Sequence, residues 1–328
     1  MKVLVTGANG LLGSNIVRQL AERGIQSRSL VRSNADLLSM KDCRTEYFYG
    51  NITTEEDVVE SAGGCDYIIH TAAITDQTLP RLDAYLEVNV NGTRNVIKAA
   101  LKNDVKRLIY VSSTNSIGYG DKLNPGTEGI PAMKPYTESY YAVSKYRAEQ
   151  EVFRSIEESG LNAVILNPSF MIGPYDSKPS SGRVILIGYG SRFVFLPKGG
   201  RNFVPAEDVA IGACNAISKG RTGEKYLLTN ANLSYKEFYD IIDEITGFKR
   251  NKILVPSWMV KGIGIIGSVA SSSGRQVLLN YNNARILTVR NFYSAEKAIR
   301  ELDFPQSDIK TAVSKALSWF RANNYIQK

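Results

Sequence analysis

The run Val3-Leu4-Val5 leads directly into Thr6-Gly7-Ala8-Asn9-Gly10-Leu11-Leu12-Gly13, and Leu12, Ile16, Val17 and Leu20 then recur at helical spacing. A buried strand, a glycine-rich turn and a helix start, in that order, make a phosphate-binding βα unit. Gly7 permits the tight turn, Gly10 lets backbone approach a pyrophosphate, and Gly13 lets the helix pack against its strand. Amides at the helix N-terminus face the anion, where the dipole favours negative charge. Gly7, Asn9, Gly10, Leu11, Leu12 and Gly13 are therefore candidate cofactor contacts.

The rhythm that follows is regular. Apolar runs predict strands at 2–6, 25–31, 45–49, 66–70, 106–112 and 161–167, and periodicity predicts helices near 11–23, 54–62, 82–103 and 138–159. Such alternation implies right-handed crossovers and an α/β fold with a doubly wound parallel sheet. After Pro168 the pattern changes. Residues 173–205 are rich in Gly, Pro and Ser and read as substrate-side loops and a lid. Helices return near 207–218, 234–246, 256–268, 294–301 and 309–323. The expected division is a dinucleotide-binding domain over 1–168 and a smaller, mostly helical substrate-binding region over 169–328, with about 203–218 returning to the first core.

Composition excludes several classes. No stretch of 18 apolar residues exists among the 328, so no membrane span is expected. The longest candidate, Trp258 to Ala270, carries Lys261 and three glycines and reads as a core or pocket-lining helix. The N-terminus enters a strand at once, without a signal-peptide pattern. Three cysteines without metal spacing suit reduced thiols and a cytoplasmic location. The only histidine, His70, ends an apolar strand and reads as positioning backbone near a ligand, which leaves hydrolase triads and zinc sites little to work with. Charge is uneven: residues 1–218 carry 23 basic and 23 acidic side chains, residues 219–328 carry 17 and 9. That basic final third is a solvated surface or a means of steering an anionic substrate. It is too dispersed for a nucleic-acid stripe.

Chemistry is concentrated in Tyr141-Ala142-Val143-Ser144-Lys145. Residues four apart on a helix share a face. A phenol with a pKa of about 10 is a poor acid-base group at neutral pH, and a nearby ammonium is expected to lower it. Tyr141 then exchanges a proton with a carbonyl oxygen as hydride arrives. The strand Leu108–Val111 runs into Ser112, Ser113 and Thr114, which parallel topology delivers to the same crevice as the glycine turn. A hydroxyl there orients the substrate oxygen.

Together these segments resemble the extended short-chain dehydrogenase/reductase family, in its dihydroflavonol-reductase-like branch. The resemblance runs in order through TGANGLLG at 6–13, HTAA at 70–73, Asn89–Val96, Ser112-Ser113-Thr114, Tyr141/Lys145, Asn167-Pro168 to Gly173-Pro174, and Phe203–Ala210. Ala295–Leu302 and Trp319-Phe320 resemble that branch's final helices. It implies a Rossmann fold and a catalytic set of Thr114, Tyr141 and Lys145. Lys145 would also hold the nicotinamide ribose, the backbone after Pro168 would border the nicotinamide, and Thr71, Ala72 and Ala73 would form a cofactor-side turn. Where the family usually has Gly-Asp after the third strand, this chain has Gly50-Asn51-Ile52. Asn51 and Ile52 are taken as the adenine-side contacts, since a carboxamide both donates and accepts. A homodimer is common in the family.

The second strand selects the cofactor. A protein specific for NAD places an acid there, on the ribose hydroxyls. Gln26–Arg32 has none and ends in Arg32, which suits a 2′-phosphate. Arg28 would assist unless strand alternation turns it away. The expected cofactor is NADP(H), with NAD(H) the alternative. The expected reaction is reduction of a small-molecule ketone or aldehyde. An NAD-dependent sugar-nucleotide epimerase is the alternative, and a non-catalytic nucleotide-binding regulator a remote one. A 4,6-dehydratase would place Asp-Glu after Thr114, where this chain has Asn115-Ser116. Tyr119, Tyr136, Tyr140, Met171, Tyr175 and Arg183 are the expected substrate walls.

Overall fold

A computed structural model of the chain describes residues 1–272, 277 and 279–326. Strand β1 (Lys2–Thr6) is followed by α1 (Leu11–Glu22), β2 (Gln26–Val31), β3 (Glu46–Tyr49), α2 (Glu55–Ala62) and β4 (Tyr67–His70). Two helices, α3 (Leu82–Tyr85) and α4 (Gly92–Lys102), flank a wider π turn over Leu86–Asn91, where the periodicity predicts one continuous helix. Next come β5 (Arg107–Val111), α5 (Tyr140–Ser159) and β6 (Ala163–Pro168). Beyond Pro168 lie β7 (Phe170–Ile172), α6 (Arg183–Gly188), β8 (Phe193–Pro197), β9 (Gly200–Pro205), α7 (Ala206–Lys219) and β10 (Lys225–Leu228). The chain continues through β11 (Ala231–Ser234), α8 (Tyr235–Thr246), β12 (Asn251–Val255), α9 (Ser257–Ser272), α10 (Tyr281–Leu287), β13 (Arg290–Asn291), α11 (Glu296–Leu302) and α12 (Ile309–Ala322).

The main sheet has the order β10-β6-β5-β4-β1-β2-β3, with every pairing parallel. This is the expected doubly wound Rossmann sheet with one strand more than the sequence predicts, since β10 was not anticipated. Strand alternation divides the core. Val3 and Val5 face the layer that holds Ile16, Val209 and Ala213, while Leu4 faces Val58, Val96 and Val152. Strand order reverses at β1 and β4, so their carboxyl ends open the crevice in which such sheets hold ligands.

Two expectations for the later chain are corrected. Residues 183–205 are not loops: they form α6, β8 and β9, because Ile185, Val194, Leu196 and Phe203 are buried in a third core with Phe238, Val313 and Phe320. β9 is the centre of a small sheet that pairs β7, β11 and β13. α9 is neither core nor pocket lining. Two of its three glycines face α10 and the residues leading into it: a Cβ on Gly264 would lie 2.5 Å from Ala284 Cβ, and one on Gly267 would lie 1.9 Å from the Leu279 carbonyl oxygen. Close approach of α10 takes up the small-residue face and leaves Trp258, Met259, Ile263, Ile265 and Ile266 exposed.

Candidate active site

The glycine turn builds one end of a cavity of about 460 Å³ at the carboxyl edge of the sheet. Gly7 has φ +67°, and a Cβ there would meet Ala72 backbone at 2.7 Å. Its carbonyl accepts from Gly10 N at 3.0 Å, which closes the turn. The cap residue Gly10 offers no side chain to the helix start, so the first amides of α1 are open to a ligand. Asn9 has a structural task as well: its Nδ2 donates to the Asp36 carbonyl (3.1 Å), and its own carbonyl accepts from Ser39 Oγ (2.8 Å). Those bonds tie the 33–40 segment to the turn.

His70 fixes the neighbouring strand end. Nδ1 lies 2.7 Å from Thr6 Oγ1, and Nε2 lies 3.1 Å from Thr93 Oγ1. Thr93 Oγ1 donates to the Asn89 carbonyl (2.7 Å), which leaves it to accept from His70 and assigns the proton to Nε2. Burial pushes the imidazole pKa down from 6.5 to about 3, with the Lys145 charge adding to the effect. Below pH 6.5 the unfolded chain binds a proton that the folded chain refuses, so this contribution is complete above 6.5 and lost progressively toward 3. We expect the stability advantage of wild type over His70→Gln to shrink by about 2 kcal/mol between pH 7.5 and 5 in chemical denaturation. A constant gap would contradict the assignment.

The catalytic candidates converge on the other end. Tyr141 and Lys145 lie one turn apart near the start of α5, whose N-cap is Ser139, and both are buried. Lys145 Nζ donates to the Val111 carbonyl (2.8 Å) and sits 4.6 Å from the Tyr110 ring centroid. Burial brings its pKa down from 10.5 to about 7, while Glu149 pulls the other way. Tyr141 differs from expectation. Its pKa is raised, because burial dominates and the hydrogen bond with Ser113 only partly offsets it. Lys145 is turned to the Val111 carbonyl, so the phenol is held in its protonated form.

Ser113 is thus the hydroxyl paired with Tyr141. Thr114 is buried, lies outside the cavity lining, and its carbonyl accepts from Tyr293 OH (3.2 Å). Behind α5, Glu149 is wholly buried and accepts from Ser116 Oγ (2.5 Å), Asn167 Nδ2 (2.7 Å) and Lys225 Nζ (2.6 Å). Asn89 joins the two ends of the site. Its side chain bonds both Ile74 N (2.7 Å) and Ile74 O (3.2 Å), and it donates to Ser144 Oγ (2.9 Å), which in turn donates to the Tyr141 carbonyl.

Gly7, Asn9, Gly10, Leu11, Leu12, Gly13, Arg32, Asn51, Ile52, Thr71, Ala72, Ala73, Tyr141, Lys145 and Pro168 all line this one cavity. Arg32 is exposed at its mouth and has no ion-pair partner among the described residues. Arg28 is turned away, paired with Glu46 at 2.8 Å and bonded to the Ser61 and Gly63 carbonyls. Asn51 uses Oδ1 to accept from Thr53 N (3.2 Å). Sequence reasoning missed Asp176, Ser177, Lys178 and Ser180 on the rim. The Asp176 carboxylate shapes that loop by accepting from Ser180 N (3.0 Å) and Gly182 N (2.9 Å).

Of the expected walls only Met171 reaches the cavity. Tyr136 is wholly buried, with its hydroxyl on Asn291 and its ring against Tyr119. Tyr119 OH donates to the Lys134 carbonyl. Tyr175 is covered by Arg18, whose guanidinium carbon lies 3.5 Å from the ring centroid. Tyr140 and Arg183 face solvent away from the cavity.

A model of the NAD dependent epimerase/dehydratase family matches residues 3–229. The chain belongs to that family. A putative dihydroflavonol 4-reductase of Synechocystis is 31% identical over 98% of this chain and 95% of its own length. Sterol demethylase protein B of Methylococcus capsulatus is 30% identical over 99% of this chain and 100% of its own. Among solved structures, the crystal structure of gox2253 superposes with a TM-score of 0.85 at 30% identity over 99% of each chain. The protein is accordingly an enzyme of the extended short-chain dehydrogenase/reductase type, in a family that binds a nicotinamide cofactor. Among the described residues no group of three His, Cys, Asp or Glu is placed to hold a metal, and no helix is long and apolar enough to cross a membrane.

Proposed function

We propose that this enzyme is an NADPH-dependent reductase of a ketone or aldehyde on a largely apolar body. The observation that carries the reading is a buried Tyr141, one helical turn from Lys145, at the end of a cavity whose other end is a glycine turn. The residues present suit a dinucleotide: Gly7 and Gly13 let the turn close against Ala72 and Ala8, Gly10 leaves backbone without a Cβ toward the space, and open amides face it. When bound, the cofactor supplies hydride to the carbonyl carbon. Tyr141 donates its hydroxyl proton to the carbonyl oxygen as negative charge develops there. The proton is in place on Tyr141 at neutral pH, and although burial makes the phenol a weaker acid, the alkoxide forming at the carbonyl oxygen is basic enough to take it. Ser113 holds the phenol in position. The family resemblance puts Thr114 in the catalytic set with Tyr141 and Lys145, but Thr114 is outside the cavity lining and Ser113 is the hydroxyl beside Tyr141, so that role goes to Ser113. Lys145 would hold the nicotinamide ribose and the backbone at Pro168 would border the nicotinamide, as the family resemblance implies. In this reading 1–168 supplies the nucleotide half and 169–328 the substrate half.

Arg32 carries the cofactor preference. Its guanidinium is unpaired at the cavity mouth, while Arg28 is occupied elsewhere. We expect Arg32→Ala to weaken NADPH by about 10–100-fold, the range for a charge-assisted pair, and to leave NADH within about twofold. Fluorescence titration with both nucleotides measures this directly. Unchanged affinities would remove Arg32 from the cofactor site, and NAD(H) retained through purification would turn the search toward sugar nucleotides. The names of the two relatives, one a reductase and one a sterol demethylase protein, support screening carbonyls on large apolar frameworks first.

A further inference from the structure

The outward face of α9 is apolar, and the strand before it also exposes apolar side chains. Trp258 is 74% and Ile266 72% exposed, with Met259, Ile263 and Ile265 also open to solvent. Ile253 and Leu254 of β12 are exposed just upstream. β12 pairs with β8, where Phe193 and Phe195 point outward while Val194 and Leu196 enter the core. The exposed side chains of α9, together with Phe193, Phe195 and Ile253 on one face of the β8–β12 pair, are more than the scattered exposed residues that need no explanation.

Its charge is one-sided. Residues 183–198 and 248–272 contain seven lysines and arginines and no aspartate or glutamate. Arg250 and Lys252 are paired with Asp243, and Lys252 also with Asp240 of α8. Arg183, Arg192, Lys198, Lys249 and Lys261 have no ion-pair partner among the described residues. A two-fold pairing of this face with a second copy would bring those cations against themselves. An anionic bilayer surface matches both properties, taking the tryptophan and aliphatic side chains into its interface and the cations at its headgroups.

We propose that the α9–β12–β8 surface seats the protein on anionic phospholipid membranes as an interfacial, non-spanning attachment. This goes beyond the reductase reading and does not depend on it. The test is flotation of the full-length protein with vesicles of phosphatidylcholine containing about 30 mol % phosphatidylserine, against pure phosphatidylcholine, at low and high salt. We expect partitioning at least about tenfold stronger to the anionic vesicles, reduced by salt, with a blue shift of Trp258 emission that Trp258→Phe abolishes. Ile263→Ser/Ile266→Ser should lower partitioning about tenfold or more, and Lys249→Gln/Lys261→Gln should remove most of the preference for anionic lipid. Both variants should keep wild-type melting temperature and nucleotide affinity, which separates lost attachment from lost folding. Failure of the wild type to float with anionic vesicles at low salt would overturn the proposal. So would lipid-free sedimentation showing a dimer that Ile263→Ser/Ile266→Ser dissolves, since a second copy would then own the face.

Discussion

Tyr141→Phe is expected to lower turnover by about 10²–10⁴-fold while nucleotide affinity stays within about threefold. The change deletes one oxygen from a buried ring, so packing in α5 is preserved and the loss falls on proton donation. Stopped-flow oxidation of NADPH with a reducible ketone reads the chemical step, and a parallel fluorescence titration reads binding. Retained turnover would remove Tyr141 as the acid. Equal losses in binding and turnover would mean instead that the ring's role is to shape the cavity.

The second large effect separates two glycines of one motif. A Cβ on Gly13 would sit 2.3 Å from the Gly7 carbonyl oxygen and 2.7 Å from Ala8 Cα, both backbone atoms that have no rotamer to yield. Gly13→Val should therefore lift α1 from the turn, costing about 2–4 kcal/mol of stability and more than about 100-fold in nucleotide affinity. A Cβ on Gly10 meets only the Gly7 carbonyl oxygen, at 3.3 Å. Gly10→Ala should fold with less than about 1 kcal/mol lost yet still bind nucleotide poorly, because the methyl occupies space the phosphates need. Thermal melts and titrations of the pair check both halves. A Gly13→Val protein with wild-type stability would show that the turn is looser than its geometry implies.

The main sheet was readable because β1, β4, β5 and β6 are short apolar runs, β2 and β3 keep their place in the alternation with helices, and those helices keep a period near 3.6. β10 was not, because Lys-Tyr-Leu-Leu is four residues long and its partner, β6, lies some sixty positions earlier. Glycine spacing located the cavity, and every candidate cofactor residue named from the sequence lines it. The proposed substrate walls fared worse. An aromatic residue reads the same whether it faces a pocket or, like Tyr136, the core. The Tyr141 pKa went the other way because spacing shows that Lys145 shares its face but not that the amine prefers the Val111 carbonyl. For α9, hydropathy reports how apolar a segment is; only tertiary contact decides that Gly264 and Gly267 go inward and its isoleucines outward.

Glu149 has a consequence for how the protein is made. Its carboxylate lies in the interior behind α5, and the cation that answers it, Lys225, stands on the strand that closes the sheet's far edge. On the ribosome, α5 and β6 are complete long before residue 225 is synthesised. Until then the nascent sheet has a bare edge at β6 and an acid in its interior without its counter-ion. Closure of the main sheet therefore waits on translation of roughly sixty further residues, and those residues pass through α6, β8, β9 and α7 on the way. A ribosome that stalls within that window displays an adhesive edge strand, the condition under which chaperone capture is most needed.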